Sequence, residues 1–264
     1  MNNLHWFDYW KIRWKADLFN MGLFIPFMSF WLFALFFYHM FYNYDSIIII
    51  LNGPSASGKT SVQKALQARS KKMFITVGID TFFDALLPTP DLTDFQKTKK
   101  LEQFTPDGTL IRSVVHEKDK DGNVIVPLTI GPAGKKVIYG MHKAIAAYAE
   151  AGNNVIVDYI LYDKSWIGYL KKTLGNYWTF FPPQVYMIGF KLPLDEIEKR
   201  EKARKTSPVG HARSHYFTVH EGMKYDLEFT DPHLTAEQIA DQILFFIEKV
   251  KNPQAFKKTC TTKK

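Results

Sequence analysis

The chain has 264 residues, a net charge of +8 and a single cysteine, Cys260. One cysteine excludes a disulfide framework and a cysteine-rich metal site, and the length suits one medium α/β domain with an appendage. Six lysines and no acids follow Glu248, while residues 1–17 carry a net +1, which leaves +1 for residues 18–248; the basicity belongs to the tail, and no nucleic-acid surface is expected.

Residues 18–44 contain no Asp, Glu, Lys or Arg and are crowded with Phe, Leu, Trp, Met and Tyr. Their length and apolarity predict a hydrophobic helix able to span a membrane. Positive residues precede the segment (Lys11, Arg13, Lys15), and the next ones are Lys59 and Lys64. The positive-inside rule would then leave the rest of the chain outside, away from ATP. An inverted or re-entrant anchor, a helix lying in the membrane interface, or a start at Met40 each resolve the conflict. All three keep the catalytic domain cytoplasmic.

Residues 46–60 read SIIIILNGPSASGKT. Ile47–Leu51 is aliphatic on both faces, as a buried parallel strand is. It breaks into Gly53-x-x-x-x-Gly58-Lys59-Thr60, the phosphate-binding loop pattern, followed by a helix over 61–70. The loop, Gly53, Pro54, Ser55, Ala56, Ser57, Gly58, Lys59, Thr60 and Ser61, would wrap the phosphates of ATP with its amides. Lys59 would reach the terminal phosphates, and Thr60 would ligate Mg²⁺ at the helix N-terminus.

Strand and helix then alternate, which predicts an α/β fold of the P-loop NTPase kind: a five-stranded, mostly parallel sheet with helices on both faces. Strands are expected at 73–78, 154–158, 185–190 and 225–229, and helices at 137–151, 194–205 and 235–250. The last opens with a Thr-x-x-Gln capping box. The domain runs over 46–250, with an insertion at about 87–129 and a basic flexible tail at 251–264. Within the insertion, Asp121-Gly122 predicts a hairpin turn between arms 112–118 and 123–128.

Asp80 closes the second strand, where strand C-termini face a ligand crevice. It suits a base that takes the proton of an acceptor hydroxyl, or a helix N-cap. Asp158 ends the apolar run VIVD, the pattern of an acid that holds Mg²⁺, with a capping or buried Asp as the alternative. Arg200 and Arg204 lie four apart and share a helix face. His211 and His215 have metal-ligand spacing, but neither an acid nor a cysteine completes a zinc set.

IIILNGPSASGKTSVQKALQ (48–67), GIDTFFDAL (78–86), IGPAGKK (130–136), VIVD (155–158), REKAR (200–204) and VHEGMKYDLEF (219–229) together resemble the chloramphenicol phosphotransferase family of P-loop kinases. The resemblance implies ATP- and Mg²⁺-dependent transfer to a hydroxyl of a small molecule. Asp80 would be the base, Lys59 would sit on the β- and γ-phosphates, and Arg200 and Arg204 would belong to a closing lid. The sequence departs from the family where Ser207 and Pro208 replace a further arginine, for which Arg213 is a substitute, and at Tyr159, where an acid would follow Asp158. The alternatives are a membrane-tethered nucleotide-binding signalling module and a zeta-toxin-like nucleotide-sugar kinase.

Overall fold

The structure is a computed structural model and describes residues 46–83, 100–105, 107–177 and 183–259, together with 31, 33 and 34. The chain divides into two compact units, Met1–Tyr44 and Asp45–Lys264. Apart from residues 31, 33 and 34, which are helical, the expected span 18–44 lies outside the described residues. So do residues 84–86 at the end of GIDTFFDAL, residues 87–99 and 106 of the insertion, and the end of the basic tail. Among the described residues, no helix is long and apolar enough to cross a membrane.

The larger unit is built on β1 (Ile47–Asn52), every residue of which is buried. It lies at the centre of a sheet ordered β10-β9-β1-β8-β2, where β2 is Phe74–Gly78, β8 Asn154–Tyr159, β9 Gln184–Phe190 and β10 Leu227–Phe229. All four pairings are parallel. Burial on both faces explains why the aliphatic run does not alternate. Ile48 and Ile50 enter one core with Val155, Val157, Val185 and Met187. Ile47, Ile49 and Leu51 enter the other with Ile156, Tyr186 and Ile188.

Helices cover both faces. On the second face lie α1 (Lys59–Arg69), through Val62 and Leu66, and α7 (Ala236–Lys249), through Ile239, Ile243 and Ile247. The expected capping box is formed: the Thr235 hydroxyl accepts from the Gln238 amide at 3.2 Å, and the Gln238 side chain accepts from the Thr235 amide at 2.9 Å. On the first face lie α3 (Pro132–Glu150), through Ile138, Met141 and Ile145, and α4 (Lys164–Tyr177), through Trp166, Ile167 and Leu170. α3 begins five residues before its expected start, because Pro132 occupies the first turn, where no amide partner is needed. The sequence reading missed α4, although Asp163 caps it by accepting from the Ser165 amide at 2.8 Å.

The insertion adds two small antiparallel sheets. One is ordered β3-β4-β7, with β3 at Lys100–Phe104, β4 at Leu110–Val115 and β7 at Leu128–Ile130. The other pairs β5 (Glu117–Lys118) with β6 (Val124–Ile125). The expected hairpin is present and keeps one register throughout: Ser113 faces Thr129, and Lys118 faces Val124. Its pairing is interrupted beside Pro127, which has no amide proton. There the Val126 amide donates instead to the Gly210 carbonyl at 3.1 Å.

Two short helices finish the ligand end: α5 (Leu194–Arg204) and α6 (His211–Tyr216). Glu201, 1% exposed on α5, accepts from the amides of Gly210 and Ala212, each at 2.7 Å. This carboxylate fixes where α6 begins. Replacing Glu201 by Ala strands two buried donors, which should cost about 2–5 kcal/mol. Glu201→Gln keeps one acceptor oxygen and should lose less. Urea denaturation of both variants measures the difference.

Candidate active site

The phosphate-loop sequence forms the turn from β1 to α1, and two local conformations shape it. Gly58 has φ +94°, in the left-handed region that a side chain strains to adopt. Gly53 is needed for a different reason: a Cβ there would come 2.8 Å from Phe190 Cβ and 2.9 Å from the Phe190 carbonyl. The loop's other left-handed residue is Ala56, at φ +61°, which the sequence pattern did not single out. Pro54, Ser55 and Ser57 lie between these points, and Ser55 and Ser57 are buried with Lys59.

Lys59 is 5% exposed and folds back on its own loop, donating to the carbonyls of Gly53 at 3.0 Å and Pro54 at 2.9 Å. Its ammonium lies 3.8 Å from an Asp158 oxygen. Burial lowers its pKa, and the carboxylates of Asp158 and Asp80 oppose that shift. Asp158 leaves the end of β8 beside Leu51 of β1. Its second oxygen accepts from the Thr60 hydroxyl at 2.6 Å. A hydroxyl and a carboxylate in contact at a helix N-terminus supply the hard oxygens that Mg²⁺ takes, with phosphates and water completing its shell. Ser61 follows in α1 and lines the cavity on the Arg200 side.

Asp80 lies in the first turn of α2 (Ile79–Phe83), inside the helix rather than capping it. It lines a cavity of about 160 Å³ with Ser55, Arg112, Tyr162, Arg204 and His211. Phe83, Val114 and Leu128 give this cavity apolar walls. On the other side of the loop, Ser57, Gly58, Ser61, Phe190 and Asp231 line a second cavity, of about 230 Å³, with Arg200. The two arginines expected on one helix face therefore separate. Arg204 joins Asp80, whereas Arg200 joins the second cavity and is held by Glu196 at 2.7 Å and by the Pro232 carbonyl at 2.6 Å. Arg213 lines neither cavity; it pairs with Glu198 at 2.5 Å and Asp119 at 3.5 Å, bracing α5 against the hairpin. Ser207 and Pro208 line the Asp80 cavity.

α6 supplies what the sequence reading missed. His215, 3% exposed, accepts from the Ser55 amide through Nε2 at 3.0 Å. Its ring meets Tyr162 and His211 edge-on, with centroids 4.9 Å away in each case. His211 Nδ1 lies 2.9 Å from the Val126 carbonyl, and its Nε2 3.0 Å from the Tyr162 hydroxyl. The i, i+4 pair is engaged in hydrogen bonds here, and among the described residues no cluster of three or more His, Cys, Asp and Glu could hold a metal ion.

A family model described as "Chloramphenicol phosphotransferase-like protein" matches residues 46–248. Two Mycobacterium tuberculosis proteins provisionally named O-phosphotransferases, from strains CDC 1551 / Oshkosh and ATCC 25618 / H37Rv, are each 26% identical over 209 residues, which is 79% of this chain and 85% of theirs. Among solved structures, a sugar kinase from Janibacter sp. HTCC2649 aligns at 15% identity and a TM-score of 0.49, over 77% of this chain and 95% of that one. The Mycobacterium tuberculosis APS kinase aligns at 13% identity and a TM-score of 0.49, over 77% of this chain and 98% of that one.

Two predictions follow from the imidazoles. His215→Leu leaves the Ser55 amide without its acceptor and should weaken binding of a nucleoside triphosphate about tenfold. His215→Gln, whose amide oxygen can replace Nε2, should restore most of it, and calorimetric titration reads both. Burial also disfavours the charged form of the histidines: the pKa of His211 is lowered, that of His215 falls well below 6.5, and that of His220, which lines neither cavity, falls to about 4. Burial takes His142, in the core, to about 3. Between pH 6.5 and about 4 the unfolded chain binds more protons at these sites than the folded one does, so stability rises with pH across that window. Each histidine contributes up to about 1.4 kcal/mol per pH unit. Glu201, raised by burial, opposes them. Urea midpoints should fall steadily from pH 6.5 downward; a flat profile to pH 5 would contradict the assignment.

Proposed function

The chain belongs to the chloramphenicol phosphotransferase-like protein family, which places it among the phosphotransferases, and from that premise we propose that it transfers the γ-phosphoryl group of ATP to a hydroxyl of a small molecule. One observation carries the reading: the phosphate loop lies between two cavities, and Asp80 lines only one of them. A donor nucleotide occupies the Arg200 side, an acceptor occupies the Asp80 side, and the transferred group crosses at the loop.

Asp80 accepts the proton of the acceptor hydroxyl as the hydroxyl oxygen bonds to the γ-phosphorus and the bond from that phosphorus to the bridging oxygen breaks, releasing ADP. Lys59 exchanges the Gly53 and Pro54 carbonyls for phosphate oxygens, which restores an anion to a buried ammonium. Arg204 neutralises charge on the transferred group from the acceptor side, and Arg200 does so from the nucleotide side. Mg²⁺, when bound, is held by Thr60 and Asp158 and neutralises charge on the phosphates. Apolar walls at Phe83, Val114 and Leu128 suit an acceptor with a hydrocarbon body.

The test incubates the full chain with ATP, Mg²⁺ and a panel of hydroxyl compounds that includes chloramphenicol, nucleosides and nucleotide sugars. ADP release and the added phosphoryl mass are followed together. Asp80→Asn should lower turnover by about 10²- to 10⁴-fold while leaving ATP affinity unchanged. Unchanged turnover in that variant removes Asp80 from the mechanism. ATP binding with no product from any acceptor would favour a nucleotide-binding module over a kinase.

A further inference from the structure

We propose that Tyr225 and His220 are positioning residues for the phosphate loop: the Tyr225 hydroxyl, oriented by His220, holds the Asn52 side chain where it ties the turn after α6 to the loop. The proposal takes the loop's role in binding a nucleoside triphosphate from the kinase reading above and adds residues that serve it from outside both cavities.

Asn52 ends β1 next to Gly53 and is 1% exposed. Two backbone groups of fixed polarity orient its amide. Oδ1 accepts from the Leu161 amide at 3.1 Å, and Nδ2 donates to the Val219 carbonyl at 2.9 Å. The Val219 amide in turn donates to the His215 carbonyl at 2.9 Å, and His215 accepts from the Ser55 amide at 3.0 Å. Asn52, Val219, His215 and Ser55 thus close a ring of contacts around the start of the loop. Releasing Asn52 frees the turn that aims His215.

The second Nδ2 proton goes to the Tyr225 oxygen at 2.7 Å. That oxygen lies 2.7 Å from His220 Nδ1. The phenol, already accepting from Asn52, gives its own proton to Nδ1, so the imidazole carries its proton on Nε2. The opposite tautomer would leave two groups without a partner among the described residues, the phenol proton and Nε2. This one leaves only Nε2–H. Burial keeps both rings neutral, raising the Tyr225 pKa and lowering that of His220. Gly189 of β9 receives the Tyr225 ring so closely that a Cβ there would come 2.7 Å from it. Val219, His220 and Tyr225 line neither cavity, so they act through Asn52 and not on a ligand.

The experiment reads amide hydrogen exchange by NMR in the full chain, comparing Ser55 with Ile50 in β1, and measures ATP affinity with Mg²⁺ by calorimetry. Tyr225→Phe and His220→Leu should speed exchange at Ser55 about tenfold more than at Ile50, and should weaken ATP binding about fivefold. His220→Asn, whose Oδ1 replaces Nδ1 as acceptor, should keep both close to wild type. Imidazole nitrogen spectra of the wild type should show His220 Nδ1 without a proton. A merely structural role would speed both amides by the same factor. Equal acceleration of Ser55 and Ile50, an unchanged Ser55 rate in Tyr225→Phe, His220→Asn as damaging as His220→Leu, or a protonated Nδ1 overturns the proposal. A wild type that binds no ATP, or binds it without phosphorylating any acceptor, counts against the kinase reading alone. The exchange rates and the tautomer are read without nucleotide and still decide on Tyr225 and His220.

Discussion

A phosphate loop has to hold its amides turned inward before any anion arrives to pair with them, and the rest of this site follows from how that is done. Unpaired buried amides are costly, so the loop is clamped from several directions. From below, Phe190 of β9 closes on Gly53 so tightly that no side chain fits. From inside, Lys59 occupies the Gly53 and Pro54 carbonyls. From the lid side, His215 takes the Ser55 amide. The lid-side clamp exists because Glu201 holds the start of α6 and thereby aims His215. A buried carboxylate that touches neither cavity thus helps to determine the shape of the loop.

The same arrangement divides the ligand end into two compartments. α5 passes over the loop, with Arg200 lining one cavity and Arg204 the other. Phosphoryl transfer needs charge neutralised on both sides of the transferred group, and a single helix turn is long enough to place one guanidinium on each side. The insertion closes the Asp80 side, with Arg112, Val114 and Leu128 lining that cavity and Arg213 bracing α5 from outside it.

Much of the fold was legible because parallel strands buried on both faces leave an unmistakable trace. The run Ile47–Leu51 and the segments ending at Asp158 and Phe190 all proved to be neighbours in the sheet. The phosphate loop and the Thr60–Asp158 contact were legible for a related reason: the chemistry admits few residue types at those spacings. α4 was overlooked because its apolar positions are interleaved with lysines and two glycines, and β3 because it lies next to a turn-rich stretch. The partnership of His215 with Ser55 spans 160 residues and leaves no local periodicity. The i, i+4 spacing of His211 and His215 suggested a metal set that no acid or cysteine completed, because that spacing puts any two side chains together, whatever they bind. The separation of Arg200 from Arg204 was equally hidden, since spacing fixes a helix face but not what each side chain meets.

The interruption at Pro127 has a consequence for what this scaffold tolerates. Ladder pairing stops there, and Val126 is tied to Gly210 instead. The tip, from Glu117 to Ile125, is thereby separated in its pairing from β4 and β7, whose residues line the Asp80 cavity. Changes in tip length stop at that knot rather than shifting the register of the wall beneath it. The turn beyond Asp119 can therefore carry a graft, such as a fluorophore or a longer natural loop, at the end away from the Asp80 cavity, while Asp119 stays paired with Arg213 and α6 keeps the base of the hairpin in place.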